Sequence, residues 1–278
     1  MTIVVRRTGA LGDVILVTPV LRRLRQENPD RLIRVETAYP DVFKGNDALA
    51  IPPTHCALAP AKLINLDMAY ERRPHMHIVD AYMQEAFGDS GDPAQKQQCL
   101  TFSRRPIFNS GPKHRYVAVH AAVAGWSNRT LPRTTWVHVV QLLQLEGFWP
   151  ILVGTERDNI DAQVTRFFTP DLSAQATLIA SCACFIGSDS GLLHVAGATA
   201  TPIVGVFTCA KPEYRLPWRG GALGGGCEGV APDLDCVGCL ARVPPPITME
   251  SCERGDLACV GAVKPEAIVA AALRMVEG

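Results

Sequence analysis

The sequence predicts an α/β protein made of two units, each a mostly parallel sheet covered by helices. Three observations lead there. Strand-like apolar runs alternate with helix-periodic segments along the chain. A turn-rich stretch, Ser103-Arg-Arg-Pro-Ile-Phe-Asn-Ser-Gly-Pro-Lys-His-Arg115, interrupts the alternation, which then restarts. Glycine turns follow strands both near the N-terminus and at Gly187.

The first unit opens with strand Ile3–Arg6 and the turn Thr8-Gly-Ala-Leu-Gly-Asp13. A helix follows through Val14, Val17, Val20, Leu21 and Leu24, which Pro19 should kink or shorten and Asn28-Pro29 should end. Strands are expected at Arg31–Glu36 and Leu63–Leu66. His77–Gly88 reads as a helix with Ile78, Tyr82, Met83 and Phe87 on one face. In the second unit, strand Tyr116–Val119, helix Thr134–Glu146, strand Pro150–Gly154 and a helical region to Phe168 come in order. Phe185–Ser188, a glycine turn, a short helix, Pro202 and Ile203–Phe207 read as strand, turn, helix, strand. Pro265–Val276 closes the chain as an amphipathic helix, and Gly/Pro-rich Pro212–Pro246 reads as loop.

The chain has 278 residues, 47% hydrophobic and 19% charged, enough for large cores and too apolar for disorder. Lys+Arg and Asp+Glu balance at 27 each, so no net field draws it to nucleic acid or anionic membrane. With no signal-like segment and no apolar span of roughly 20 residues, the expectation is a cytoplasmic protein.

Two turns carry chemistry. Asp189, Ser190 and Gly191 stand where a helix begins, so backbone N–H groups and the helix dipole converge on a natural phosphate seat. An ordinary strand-to-helix turn capped by Asp189 or Ser190 is the alternative. The N-terminal turn lacks the glycine spacing of a dinucleotide fingerprint, and no Gly-Lys-Ser/Thr follows, which disfavours nicotinamide enzymes and nucleotide hydrolases. It does offer Asp13 at the carboxyl end of the first strand, as a helix cap or as a general base.

Ten cysteines include Cys56, Cys99, Cys182, Cys184 and Cys209, scattered and read mostly as small buried hydrophobes. Cys236-Val-Gly-Cys239, Cys252 and Cys259 form a different pattern. In a reducing compartment such a group reads as a metal site rather than disulfides, against free thiols or a redox pair. Four thiolates leave no open coordination position, so the role would be structural, worth roughly 10 kcal/mol or more to a loop with few other stabilisers.

Taken together, Arg7-Thr-Gly-Ala-Leu-Gly-Asp-Val-Ile-Leu-Val-Thr-Pro19, His120, Arg129-Thr-Leu-Pro132, Trp136, Gly154-Thr-Glu156 and Gly187-Ser-Asp-Ser-Gly-Leu-Leu-His194 resemble glycosyltransferase family 9, over nearly the whole chain. The resemblance implies an α/β fold of GT-B type, two Rossmann-like domains facing across a cleft. Residues 1–110 would be the acceptor side. Residues 111–278 would bind the nucleotide sugar and carry the four-cysteine metal loop, about 227–260. It implies an inverting transferase without a catalytic divalent metal, with ADP-heptose as first choice of donor. Asp13 matches the proposed acceptor base, and Arg129 the cation that meets the leaving diphosphate. Gly12 and Asp189, Ser190, Gly191, Leu192 and His194 match donor-binding positions, and Glu156 a carboxylate near the nucleoside.

The cysteines, with Tyr70-Glu-Arg-Arg-Pro-His75 and His77-Ile-Val-Asp-Ala-Tyr82, resemble the cysteine-bearing autotransporter heptosyltransferases within that family. That resemblance makes iron a rival to zinc. It favours a protein or other non-lipid acceptor and is compatible with a homo-oligomer. Two further readings stay open: transfer to a modified base in DNA, kept alive by Arg72-Arg73 and Arg104-Arg105, and a non-catalytic sugar-nucleotide-binding or assembly subunit. A sugar-nucleotide epimerase is disfavoured, because its second set of cleft carboxylates is not evident.

Overall fold

The computed structural model describes residues 2–46, 49, 61–105, 107–108, 115–122, 125–242, 248 and 250–277. Cys56, part of the interdomain stretch and part of the cysteine loop lie outside the described residues. Strand β1 (Thr2–Arg6) is the centre of a three-stranded parallel sheet, between β2 (Ile33–Glu36) and β3 (Ala61–Asn65). Its Ile3-Val-Val5 run is buried on both faces, which explains why it is continuously apolar rather than alternating.

The first helical segment is two helices, α1 (Leu11–Ile15) and α2 (Thr18–Glu27). Pro19 stands in the first turn of α2, where its missing N–H costs nothing, and the Thr18 hydroxyl donates to the Ile15 carbonyl at 2.8 Å across the break. Helix α3 (Ile78–Phe87) is capped by the His77 ring, which accepts from the Val79 N–H, and ends on Gly88 in the left-handed conformation.

The second sheet is all parallel and is assembled from β4 (Tyr116–His120), β5 (Trp149–Gly154), β6 (Thr165–Phe168), β7 (Cys184–Ser188) and β8 (Ile203–Val206). A small antiparallel pair, β9 (Trp218–Arg219) with β10 (Ala222–Leu223), precedes its last strand, β11 (Cys227–Val230); the order is β11-β8-β7-β4-β5-β6. Side chains alternate across it. Val117 and Val119 join the core under helices α4 (Arg133–Leu145) and α8 (Pro265–Glu277). Ala118 faces the core shared with α5 (Leu172–Ile179) and α6 (Gly191–Gly197). Helices on both faces make the sheet doubly wound.

Two expectations are corrected. The stretch after β5 is not helical: a 3-10 turn (Glu156–Asp158) leads to the edge strand β6, whose Thr165-Arg-Phe-Phe168 is β-branched and aromatic. Arg166 of that strand donates to Asn159, Ile160, Ala162 and Val164 and fixes the intervening chain as a loop. Nor is Pro212–Pro246 all loop, since β9, β10 and β11 lie within it. Buried Arg219 secures this region by donating to the carbonyls of Thr201 and Ala196. A short helix, α7 (Ala258–Ala262), follows the cysteine loop.

Candidate active site in the cleft between the sheets

Helices α1 and α6 pack where the two sheets face each other. A Cβ on Gly12 would stand 2.6 Å from His194 Cδ2, and one on Gly191 would stand 2.9 Å from a methyl of Leu11. The two glycines therefore permit the close approach. Beside this contact lies a cavity of about 680 Å³ lined by Gly12, His120, Asp158, Ser190, Gly191 and Leu192, among others. The Ser190 N-cap makes no side-chain cap bond; its hydroxyl is 3.0 Å from His120 Nδ1. On the other side of that ring, Nε2 is 3.6 Å from Asp158. Burial works against the Asp158 charge, but His120 and the bonds from Thr155 outweigh it and hold the carboxyl below its ordinary range. Gly154 is at φ 124, and a Cβ there would stand 2.6 Å from Asp158, so the turn requires glycine.

Asp13 lies in the first turn of α1, with Ala10 rather than Asp13 at the N-cap. Its carboxylate accepts from the Arg7 guanidinium and, at 3.3 Å, from the Tyr70 hydroxyl. Arg7 is 3% exposed and also bonds Glu71 at 3.2 Å and the Leu66 carbonyl at 3.3 Å. Burial opposes its charge; the carboxylates of Asp13 and Glu71 more than restore it. Burial and the neighbouring Asp13 and Glu71 push the Tyr70 hydroxyl upward, so it stays a donor.

A second cavity, about 470 Å³, opens between Tyr70, Trp126, Arg129, Tyr214, Arg215 and Leu240. Buried Asp189 lies 3.5 Å from Arg129 and 3.8 Å from Arg215. Arg129 is held charged: burial opposes this, and Asp189 outweighs it. It also feels the charge of Asp13 from the opposite half of the molecule. Its guanidinium stacks over Trp126 and that of Arg215 over Tyr70, each 5.1 Å from the ring centre.

The expected residues are thus divided. Gly12, Ser190, Gly191 and Leu192 line the first cavity and Arg129 the second. Asp13 and Asp189 line neither but bond or pair with residues that do. Buried His194 packs on Gly12, and burial lowers its pKa to about 4, so the ring is neutral. Glu156 is exposed and lines neither cavity; Asp158, two residues on, is the carboxylate that faces the first. The sequence reading missed Asp158, although Thr155-x-x-Asp158 is a legible capping box. It also missed Arg215, which follows a 3-10 turn in a Gly/Pro-rich stretch with no periodic signal.

The cysteine loop adjoins the second cavity. Gly238, left-handed at φ 88, lets Cys236 and Cys239 turn tightly, and its N–H donates to the Cys209 carbonyl at 3.1 Å. Burial, then Cys239, Cys236 and Cys252, push the Cys259 thiol up to about 11. Burial pushes the Cys252 thiol up as well, but backbone N–H groups of Leu257, Arg254, Gly255 and Asp256 outweigh it and favour the thiolate. Among the described residues, no group of three or more His, Cys, Asp or Glu side chains is arranged to hold a metal. Asn128, next to Arg129, donates to the carbonyls of Thr248 and Ser251 and ties the loop to the cleft.

The family model of glycosyltransferase family 9 (heptosyltransferase) matches residues 54–224, more than half of the chain. The chain belongs to glycosyltransferase family 9. This family 9 chain is 25% identical over 105 residues to lipooligosaccharide heptosyltransferase 2 of Haemophilus influenzae, covering 31% of the chain and 30% of that protein. It is 28% identical over 107 residues to the Haemophilus ducreyi protein of the same name, covering 31% of each. The matches thus span under a third of those relatives' length. Among solved structures, the iron-containing dodecameric glycosyltransferase TibC of enterotoxigenic E. coli superposes with a TM-score of 0.79 at 14% identity, over 99% of this chain and 76% of TibC. ADP-heptose lipopolysaccharide heptosyltransferase II of E. coli gives 0.66 at 15% identity, over 100% and 99%. At these identities the likeness establishes the fold, which is GT-B. TibC has also been solved with ADP-D-β-D-heptose. Among the described residues, no helix is long and apolar enough to cross a membrane.

Proposed function

We propose that this chain is an inverting glycosyltransferase that moves heptose from ADP-heptose to a hydroxyl of a non-lipid acceptor, a protein first, without a catalytic divalent metal. One observation carries the reading. Asp13, on α1 of the first half, bonds Tyr70, which lines one cavity together with Arg129 of the second half, and the neighbouring cavity is lined by Ser190 and Gly191. In this reading residues 1–110 take the acceptor and residues 111–278 the donor.

Asp13, held in place by Arg7 and Tyr70, receives the acceptor's proton. The oxygen forms its bond to the anomeric carbon on the face opposite the diphosphate. The bond from that carbon to the diphosphate breaks, and its electron pair leaves on the phosphate. Arg129 and the backbone at the start of α6 meet the developing charge. Neutral His194 sets the spacing of α1 and α6 rather than supplying a cation.

The thiols of Cys236, Cys239, Cys252 and Cys259 would hold a structural iron or zinc ion, which supplies rigidity and no step of the transfer. A homo-oligomer and a cytoplasmic setting, where thiols stay reduced, complete the proposal.

Label from ADP-[14C]heptose, incubated with the enzyme and a bacterial extract, should enter protease-sensitive material and fail to do so with Asp13→Asn. Label confined to the organic phase would contradict the acceptor; equal labelling by Asp13→Asn would contradict the base. Elemental analysis should find about one iron or zinc per chain, lost in a Cys239→Ser, Cys252→Ser variant. Metal-free protein with an equally protease-resistant loop would refute the metal site.

A further inference from the structure

The wall of the cavity between Tyr70 and the cysteine loop carries Arg72, Arg129, Lys211 and Arg215 against the single carboxylate Glu71. Lys211 faces Glu213 at 3.6 Å and Arg72 faces Glu85 at 3.1 Å, while Arg7 alone takes Asp13, Glu71 at 3.2 Å and Asp67 at 4.0 Å. Arg129 and Arg215 share a single carboxylate, Asp189. At 3.5 and 3.8 Å neither ion pair is a close hydrogen bond. Asp189 Oδ2 and Arg129 Nε are both buried without a hydrogen-bond partner. Arg129 therefore keeps donor capacity that the protein leaves unused, while Arg215 donates from Nη1 to the Tyr214 carbonyl at 3.3 Å. Their environment is restrictive, for the Arg215 side chain is 12% exposed and lies against the Tyr70 ring. Burying a surplus cation is costly unless a ligand compensates it.

We propose that Arg215 is a second cation for the departing diphosphate, and that with Arg129 it forms a subsite for the distal phosphate of a nucleoside diphosphate sugar. The inference rests on the donor reading above and adds a residue to it. The chemistry fits a phosphoryl dianion: two guanidinium groups present several N–H donors to one set of oxygens, and Asp189 keeps them apart without neutralising both. As the bond to the anomeric carbon breaks, negative charge grows on that phosphate, and Arg215 meets it from the side of Tyr70, whose hydroxyl bonds Asp13. Base and leaving-group cation are thus linked through one aromatic side chain.

The test is equilibrium binding to wild type, Arg215→Gln and Arg215→Lys, each checked for an unchanged melting temperature. The probes are the diphosphate that wild type prefers among ADP, UDP, GDP and CDP, the matching monophosphate, and inorganic pyrophosphate. Arg215→Gln should weaken the diphosphate about tenfold or more while the monophosphate changes little, and Arg215→Lys should fall between. Unchanged diphosphate binding in Arg215→Gln would overturn the proposal, as would equal weakening of diphosphate and monophosphate. Loss of pyrophosphate binding alone, with the nucleoside diphosphate unaffected, would overturn it in favour of an acceptor-borne anion. Failure of wild type to bind any diphosphate would instead remove the donor reading on which it rests.

Discussion

Arg7 holds more of the site than its position just past β1 suggests, because Asp13, Glu71 and the Leu66 carbonyl all converge on it. Removing it strands carboxylates in a half-buried setting. Arg7→Leu should therefore lose about 3–5 kcal/mol in urea unfolding. Asp13→Asn should keep the fold and donor affinity but lower turnover about 10²–10⁴-fold, as expected for loss of a general base. Burial depresses both His77, to about 3, and His194, to about 4. In the unfolded chain each titrates near 6.5. The unfolded state thus binds more protons below pH 6.5, so the stability from the neutral rings is full above that pH and is lost as pH falls toward 4 and 3. Urea midpoints should fall from pH 7 to pH 5, less steeply in His194→Asn; a flat profile would contradict neutral burial. Asp13 was legible from its place at the carboxyl end of the first strand, and Arg129 from the family resemblance. Tyr70 as a partner of Asp13 was not, since 57 residues separate them and only the folded sheet joins them.

The contact between α1 and α6 decides whether the cleft can exist at its present width. Gly12→Ala places a methyl within 2.6 Å of His194 and should cost about 1–3 kcal/mol while widening the cleft; thermal melting and donor affinity read the two effects. Parity of both with wild type would show that the helices yield without consequence. Most elements could be read from apolar periodicity, as in α2, α3 and α8. The stretch that became β6 was misread because four residues at a sheet edge offer too short a pattern to separate strand from helix. Likewise β11 sits among glycines, and only its pairing with β8 defines it as a strand.

Across the whole molecule, one buried cluster runs from Val5 and Leu21 of the first sheet and its helices through Leu193 and Phe207 of the second. Two bodies joined by so continuous a core should unfold together, so calorimetry is expected to show a single transition; two resolved transitions would mean the halves are separable. The alternation of strands and helices conveyed two sheets, but it could not convey that their interface is this apolar. That follows from Gly12 and Gly191, which read as ligand-turn residues and also serve as packing residues. The proposed chemistry depends on this frame, since Asp13 stands on α1 after the first sheet's central strand and Arg129 in a 3-10 turn after β4 of the second sheet. The most direct test is titration of the intact protein with ADP-heptose, UDP-, GDP- and CDP-sugars, alongside Arg129→Ala. Saturable binding of ADP-heptose, displaced by ADP and weakened about tenfold or more by Arg129→Ala, is the predicted result. No binding of any sugar nucleotide, or binding indifferent to Arg129, would contradict the donor cleft.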